Sequence, residues 1–242
     1  MAYRFATERT DHSDLASGAV LRSAPGRPGF PVRLASELFQ RAAAHAPARP
    51  LRLWDPMCGT GHLAVAVGLL HRERLAHVRA TDTDPDAVGL AARNLALLTA
   101  AGLADREREL RALAAENGRA DTAERAAAAR RLAARLAAAG GDLPHTAAAD
   151  DAFAPAAPEP PVDVVLTDVP YGDLSRWSGA PPGGDPVAAV LRSLAGVLGG
   201  DAVLAVAARA RRVPLPAGVP ALERVRVGVR AAVLVRAGDL PP

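Results

Sequence analysis

Apolar and polar positions along the chain predict strands and helices in alternation. Short apolar runs predict strands, whereas apolar residues three or four positions apart predict helices. The predicted strands are 51–54, 76–81, 145–149, 162–167, 202–207, 222–228 and 231–236, and the last two are expected to pair antiparallel. The predicted helices are 31–43, 62–70, 86–100 and 187–198. This order indicates an α/β fold with a mainly parallel seven-stranded sheet and helices on both faces.

Two segments lie outside this alternation. Residues 1–48 are predicted as an N-terminal arm followed by one helix, with turns around residues 23–29. Residues 49–242 form the predicted sheet domain. Within that domain, residues 103–140 are rich in Ala, Arg and Glu and predict a helical insertion of two helices, separated at Asn117 and Gly118.

Composition narrows the class of protein. The 242 residues are 50% hydrophobic and 23% charged, which excludes a mostly disordered chain. Aromatic residues make up only 3%, so a surface dominated by base stacking is not expected. The net charge is +3 and all 29 basic residues are arginine. Codon bias alone accounts for this preference, but arginine also suits phosphate, so a polyanionic partner stays open.

The single cysteine and the lack of long apolar segments set further expectations. With only Cys58, neither an internal disulfide nor a cysteine-based zinc site can form, and we expect no metal. The charged N-terminus has no signal-peptide core, and the apolar run 63–70 is too short to cross a bilayer. We expect a soluble, cytoplasmic monomer without a membrane partner.

Acidic residues follow successive predicted strands. They are Asp55, Asp82, Asp150 with Asp151, and Asp168. In open α/β sheets, ligands bind beyond the carboxyl ends of the strands. Four acidic positions at such ends therefore predict one ligand cleft.

The first of these strand ends runs into a glycine-rich turn. Gly59 and Gly61 let the backbone approach a ligand and begin a helix, and Asp82 follows about 20 residues later, where an acid binds ribose hydroxyls. Ala64 can fill the third position of a dinucleotide loop, so the loop alone leaves NAD open. Asp55 would repel a pyrophosphate and suits the cationic end of S-adenosylmethionine. A turn that only connects strand to helix is the structural alternative.

These residues resemble a known family. The run 55–61 (DPMCGTG) is similar to motif I of class I S-adenosylmethionine-dependent methyltransferases, in the form found in RNA guanine-N2 methyltransferases. The run beginning at Thr81 resembles the acidic second motif, and the run beginning at Asp150 resembles the adenine-contacting segment. The resemblance implies a Rossmann-like fold and S-adenosyl-L-methionine as cofactor. The cofactor-binding residues it implies are Asp55, Cys58, Gly59, Gly61, Asp82, Asp84, Asp150 and Asp151.

A second motif concerns the methyl acceptor. Residues 167–171 resemble the family's (D/N)-P-P-Y motif, which implies catalytic roles for Asp168, Pro170 and Tyr171. Asp168 and the next backbone carbonyl would accept the N–H groups of an exocyclic amine, while Tyr171 would stack on a flipped base. Val169 replaces the first proline of the motif. C5-pyrimidine methylation requires a cysteine nucleophile, and Cys58 lies in the cofactor loop instead.

Most of the chain resembles the avilamycin-resistance 23S ribosomal RNA guanine methyltransferases of actinomycetes. This resemblance implies 23S RNA or the large ribosomal subunit as partner and resistance to orthosomycin antibiotics. The arginines expected to contact RNA are Arg4, Arg9, Arg22, Arg27, Arg209, Arg211 and Arg212. The arginines of the insertion lie among glutamates, and we interpret them as a solvated helical surface.

Three other functions remain open at this point. A DNA or protein-glutamine methyltransferase would use the same two motifs and would differ in its acceptor. A Rossmann oxidoreductase would bind NAD. A noncatalytic RNA-binding module would tolerate the loss of Asp168, whereas an enzyme would not.

Overall fold

The fold is a seven-stranded sheet flanked by helices. A computed structural model describes residues 3–16, 18–27, 29–170, 177 and 185–241. Its strands are β1 (Leu51–Asp55), β2 (Leu75–Asp82), β3 (His145–Ala149), β4 (Val164–Asp168), β5 (Val203–Ala208), β6 (Glu223–Val227) and β7 (Arg230–Arg236). Its helices are α1 (Val32–Ala43), α2 (His62–Leu70), α3 (Pro85–Leu95), α4 (Ala100–Asn117), α5 (Ala120–Ala138) and α6 (Pro186–Ala195).

The strand order is β3-β2-β1-β4-β5-β7-β6. The first five strands of this order run parallel, and β7 pairs antiparallel with both β5 and β6. The sequence-based prediction of a mainly parallel sheet with a final antiparallel pair is therefore confirmed. The parallel strands bring the ends of β1, β2 and β4 to one edge, and the antiparallel β7 begins at that same edge, where Ala231 pairs with Ala208.

Two apolar cores cover the two faces of the sheet. One contains buried residues of α1, α2, α3 and α5, packed against side chains such as Leu53 and Leu166. The other contains α6, packed against Val165 and Leu204. Neighbouring strand residues alternate between these cores, because successive side chains point to opposite faces of a strand. On this alternation Asp55 and Asp168 share the face of Leu53 and Leu166.

One predicted helix is longer than the helix that the structure shows. The pattern predicted a single helix over 86–100, but α3 ends at Leu95 and α4 begins at Ala100, with a 3₁₀ turn between them. The Thr99 hydroxyl accepts a hydrogen bond from the Gly102 N–H at 3.0 Å and so caps α4. The insertion accordingly begins three residues before the predicted boundary, and its two helices separate at Gly118 in the left-handed conformation (φ +63°).

The N-terminal segment packs onto the sheet domain. Asn94 is fully buried and donates to the backbone carbonyls of Arg22 and Thr60, so it joins the segment to the glycine-rich turn. The fully buried Glu37 accepts three backbone N–H groups, those of residues 4–6, at 2.6–2.8 Å. The boundary predicted between residues 48 and 49 stays a prediction, since α1 shares the larger core with the sheet.

No single helix among those described is long and apolar enough to cross a membrane. Residues 85–98 and 100–117 would be long and apolar enough only together, and they are bent by 109° at their break.

Candidate active site

A cleft opens at the carboxyl ends of β1, β2 and β4. Its volume is about 570 Å³, within the range of about 300–1,000 Å³ that is usual for small-molecule sites. Four of the five predicted acidic strand-end residues line it, namely Asp55, Asp82, Asp151 and Asp168. The wall also includes the glycine-rich turn, Arg27 and Phe30 of the N-terminal segment, and Trp177.

The glycine-rich turn has the backbone that close ligand approach requires. Gly59 and Gly61 both have positive φ angles, of +51° and +74°. A Cβ at Gly61 would lie 3.2 Å from Ala91 of α3, whereas a Cβ at Gly59 would meet nothing within 4 Å. Cys58 is buried, its N–H donates to the Thr81 carbonyl at 2.9 Å, and burial raises the pKa of its thiol. Cys58 also lines the cleft, and its predicted contact with a cofactor stays a prediction.

Asp82 connects the turn to the end of β2. One carboxylate oxygen accepts the Gly59 N–H at 2.8 Å and the other accepts the Asp84 N–H at 3.0 Å. Asp84 caps α3 by accepting the Asp86 N–H at 2.8 Å, and it pairs with Arg27. The hydrogen bond from Arg27 lowers the pKa of Asp84. Asp84 thus lies at the cleft wall with its carboxylate already engaged.

Asp55 is the most buried carboxyl group of the cleft, with 2% of its surface exposed. It accepts the Thr167 hydroxyl at 2.8 Å, which links β1 to β4. Burial raises the pKa of Asp55 to about 7, and the charges of Asp82 and Asp168 act in the same direction. Burial therefore favours the neutral form of Asp55 more than it does for an ordinary aspartate.

The structure separates the two acids that follow β3. Asp151 lines the cleft and accepts the Phe153 N–H at 2.9 Å. Asp150 lies outside the lining, pairs with Arg79 at 3.3 Å and accepts the Ala156 N–H. Of the two, Asp151 is the residue placed to contact a ligand.

Asp168 ends β4 and has a partner that the sequence did not indicate. Arg230, the first residue of β7, donates from Nη1 to both Asp168 oxygens at 2.6 Å. Burial raises the pKa of Asp168, and the Arg230 charge opposes that rise. The Arg230 guanidinium also lies 4.8 Å from the centre of the Phe30 ring. No motif marks Arg230, which directly precedes the last predicted strand, 231–236, and is the first residue of β7.

The rest of the acceptor motif is described in part. Val169 is buried, and its N–H donates to the Ala207 carbonyl at 2.8 Å, so valine replaces the motif's first proline at a position that uses its N–H. Pro170 lines the cleft. Tyr171 lies outside the described residues, so its predicted stacking role stays a prediction. Trp177 packs 5.7 Å from Phe153 at the cleft wall.

The arginines predicted to contact RNA fall into two groups. Arg22 pairs with Glu109, Arg27 with Asp84, and Arg4 lies 3.5 Å from Glu223. The other group is exposed and comprises Arg9 together with the three arginines after β5, namely Arg209, Arg211 and Arg212. Since β5 runs parallel to β4, with Ala207 beside Asp168, the run 209–212 begins at the cleft edge.

The cleft fits a nucleoside that has a positively charged group. Carboxylates accept hydrogen bonds from ribose hydroxyls and from amines, and they repel a pyrophosphate. Asp82 and Asp151, with the open space at Gly59, would hold the nucleoside part of S-adenosylmethionine, and Asp55 its cationic part. No cluster of three metal-ligating side chains occurs in the described ranges.

This strand order, with an acidic cleft at the ends of the parallel strands, is that of the class I methyltransferases. The sequence profile of the rRNA methyltransferase AviRa matches residues 1–230, and the chain therefore belongs to the AviRa family.

Known members of the family are similar over nearly the whole chain. The chain is 53% identical to the 23S rRNA (guanine(2535)-N(1))-methyltransferase of Streptomyces viridochromogenes, over 99% of this chain and 97% of the relative. Two crystal structures of the rRNA methyltransferase AviRa from that organism superpose with TM-scores of 0.92 and 0.88. They share 52% and 51% identity, with 99% of this chain and 98% of each structure covered. The resemblance stated from the sequence is thus confirmed.

Proposed function

We propose that this protein transfers a methyl group from S-adenosylmethionine to N1 of a guanine in 23S ribosomal RNA. The observation that carries the proposal is the acidic cleft in a chain 53% identical to a 23S rRNA guanine-N1 methyltransferase. The sequence predicted an exocyclic amine as the acceptor atom. The name of the relative specifies the ring nitrogen N1, so we adopt N1 here.

The donor brings a methyl group already activated by its positive sulfur. The residues of the chain have to bind that donor, exclude water and orient the acceptor. Asp82 and Asp151 lie at the ends of β2 and β3, where they would accept hydrogen bonds from the ribose and the adenine. Asp55 lies at the end of β1, between these residues and Asp168 on β4. The acceptor base would therefore enter on the Asp168 side.

An N1 acceptor makes a specific demand on Asp168. Guanine N1 carries a hydrogen and becomes nucleophilic only as that proton leaves. The Asp168 carboxylate would accept the N1–H group and then its proton, which leaves an electron pair on N1 for the incoming methyl carbon. The 2-amino group of guanine lies next to N1 and would bond to the second oxygen or to the following backbone carbonyl.

The exposed run 209–212 would position the RNA. Arg209, Arg211 and Arg212 begin where β5 ends, one strand away from Asp168. Arginine contacts to phosphate fix the register of a nucleic acid on its protein. Because Arg22 pairs with Glu109 and Arg27 with Asp84, we assign them to holding the N-terminal segment rather than to RNA.

The cellular role follows from the proposed acceptor. Methylation of one guanine in the large subunit would remove a hydrogen-bond donor from an orthosomycin site and add bulk there. We propose resistance to avilamycin-type antibiotics in the cytoplasm as the outcome.

The test is transfer of labelled methyl from S-adenosylmethionine to purified 23S RNA, 16S RNA, duplex DNA and a protein extract, with assembled large subunits as a fifth acceptor. We expect label in 23S RNA or in the large subunit alone. An N1-methyl group blocks Watson–Crick pairing, so reverse transcription should stop one nucleotide before the modified guanine. Label only in DNA or protein would overturn the ribosomal assignment. Label in 23S RNA without a reverse-transcription stop would favour the exocyclic amine, rather than N1, as the acceptor atom.

A further inference from the structure

The pairing of Asp168 with Arg230 joins two elements that are distant in the sequence. Nη1 of Arg230 lies 2.6 Å from each oxygen of Asp168, across 62 residues of chain. The strand between them is β5, where Ala207 pairs with Asp168 on one side and with Ala232 on the other. Because Arg230 and Ala232 are two residues apart, they point to the same face. Because Ala207 of β5 has a small side chain, the Arg230 side chain can extend across β5 to Asp168.

We propose that Arg230 is a positioning residue for the methyl transfer, and that it holds the Asp168 carboxylate ionised and oriented to take the N1 proton of guanine. This inference rests on the proposed function, because an N1 acceptor must lose its proton during the transfer.

The electrostatic argument starts from burial. The Asp168 side chain is 29% exposed and Arg230 is 16% exposed, so water stabilises the carboxylate only in part. Asp55 faces the same cleft, and its charge disfavours a second ionised carboxylate nearby. A guanidinium stays protonated at every working pH and so favours the ionised form of Asp168. Arg230 therefore keeps Asp168 in the ionised form, which is the form that can accept a proton.

The geometry leaves Asp168 able to act. An ionised carboxylate has about four acceptor positions, and Arg230 occupies one on each oxygen. Among the described residues, Arg230 is the only hydrogen-bond donor to these oxygens. We assign the second position on each oxygen to the N1–H and 2-amino groups of the base. The Phe30 ring, which is 6% exposed and has its centre 4.8 Å from the guanidinium carbon, adds a cation–π contact to Arg230.

The proton transfer balances without a further reactant. The N1–H bond breaks, the proton forms an O–H bond on Asp168, and the electron pair remains on the base. That pair forms the new N1–carbon bond, while the pair of the carbon–sulfur bond leaves with sulfur. Arg230 exchanges no proton in this scheme. Its contribution is the charge and the orientation of Asp168 before the base arrives.

Other titratable groups of the cleft have to be separated from this effect. Among the described residues that line the cleft they are Asp55, Asp82, Asp84, Asp151, Cys58 and His62, and Arg27 is the other cation there. The experiment therefore measures the titration of the Asp168 carboxyl group directly. Carbon-13 NMR of the aspartate carboxyl groups follows its titration in the cofactor-free protein, and the spectrum of Asp168→Asn assigns its resonance.

The test compares Arg230→Ala and Arg230→Lys with Arg236→Ala, a matched arginine at the other end of β7. We expect the Asp168 pKa and the acid limb of the rate profile to rise by about 1–3 units in Arg230→Ala. Lysine should restore most of the charge effect with a lower rate, because it is a point charge rather than a fork. Phe30→Leu should give a smaller rise, and Arg236→Ala none.

Three outcomes decide the matter. A shifted titration and a shifted acid limb in Arg230→Ala, with recovery in Arg230→Lys, support the proposal. A lower melting temperature with an unchanged titration would make Arg230 a structural residue and overturn it. If wild-type protein methylated no acceptor, the proposed function would fail, while the carboxyl titration would still decide whether Arg230 holds Asp168 ionised.

Discussion

The two halves of the cleft are built in different ways. In the cofactor half, Asp82 at the end of β2 bonds to backbone N–H groups of the adjacent turns, those of Gly59 and Asp84. In the acceptor half, at β4 and β7, Asp168 bonds to a charged side chain that lies 62 residues later in the sequence. A backbone-built site has its shape before a ligand arrives. A site built from two charged side chains can change its charge and geometry with pH and with substrate.

This difference assigns different tasks to the halves. The cofactor half has to bind the same small molecule in every cycle, and a fixed backbone suits that task. The acceptor half has to admit a base from a large RNA and then accept a proton. The partially exposed pair of Asp168 and Arg230 lies beside the exposed arginines after β5, which suits that second task.

The largest expected effect concerns the buried acid of the cofactor half. Since the pKa of Asp55 is raised to about 7, the folded protein binds a proton there that the unfolded chain releases near pH 4. This contribution to stability is present at low pH and is lost as the pH rises from about 4 to about 7. At about 1.4 kcal/mol per pKa unit, Asp55→Asn should remove roughly 3 kcal/mol of the loss that falls between pH 5 and pH 8. Urea unfolding at pH 5 and pH 8 measures it, and identical pH dependence in both proteins would contradict it.

The second prediction tests the exposed arginines of the acceptor half. Each lost phosphate contact reduces the slope of log affinity against log salt by about 0.7–0.9. Replacing Arg209, Arg211 and Arg212 by alanine should therefore weaken RNA binding about a hundredfold at 0.1 M salt. Arg22→Ala is the matched control, and it should lower stability while leaving the salt slope unchanged. Filter binding over a salt series measures the RNA affinity and the salt slope of both variants. If Arg22→Ala reduced the slope and the triple variant did not, the RNA contact would lie on the N-terminal segment.

The third prediction separates neighbouring acids in the cofactor half. Asp151→Asn should weaken S-adenosylmethionine binding about tenfold, because a charged acceptor bond is worth about 1.5–3 kcal/mol. Asp150→Asn should change the affinity less than about threefold, since that carboxylate faces Arg79. Isothermal titration with the cofactor product measures both affinities. A larger loss in the Asp150 variant would assign the adenine contact to the other residue.

The sequence predicted the cofactor half better than the acceptor half for a physical reason. Gly59, Gly61 and Asp82 interact within one turn and one neighbouring strand, so a local pattern contains their arrangement. Arg230 reaches Asp168 only through the sheet order, which places β7 beside β5. A count of arginines likewise could not reveal that Arg22 pairs with a glutamate 87 residues later.

The error in the helix boundary had a readable signal. Thr99 precedes α4 as a capping residue, and an apolar run on both sides concealed it. The sequence contained no such signal for the different positions of Asp150 and Asp151 relative to the cleft. Adjacent residues in an extended segment point in opposite directions, and only the fold determines which of the two faces the cleft.

The most direct test of the account is the single-turnover rate of methyl transfer to 23S RNA by Asp168→Asn. Asp239→Asn, an exposed acid just beyond β7, is the control of equal charge change. We predict a loss of about 10²–10⁴-fold in Asp168→Asn, with cofactor affinity unchanged and the control at the wild-type rate. A rate within tenfold of wild type would contradict the assignment of Asp168 as the proton acceptor and, with it, the proposed acceptor half of the cleft.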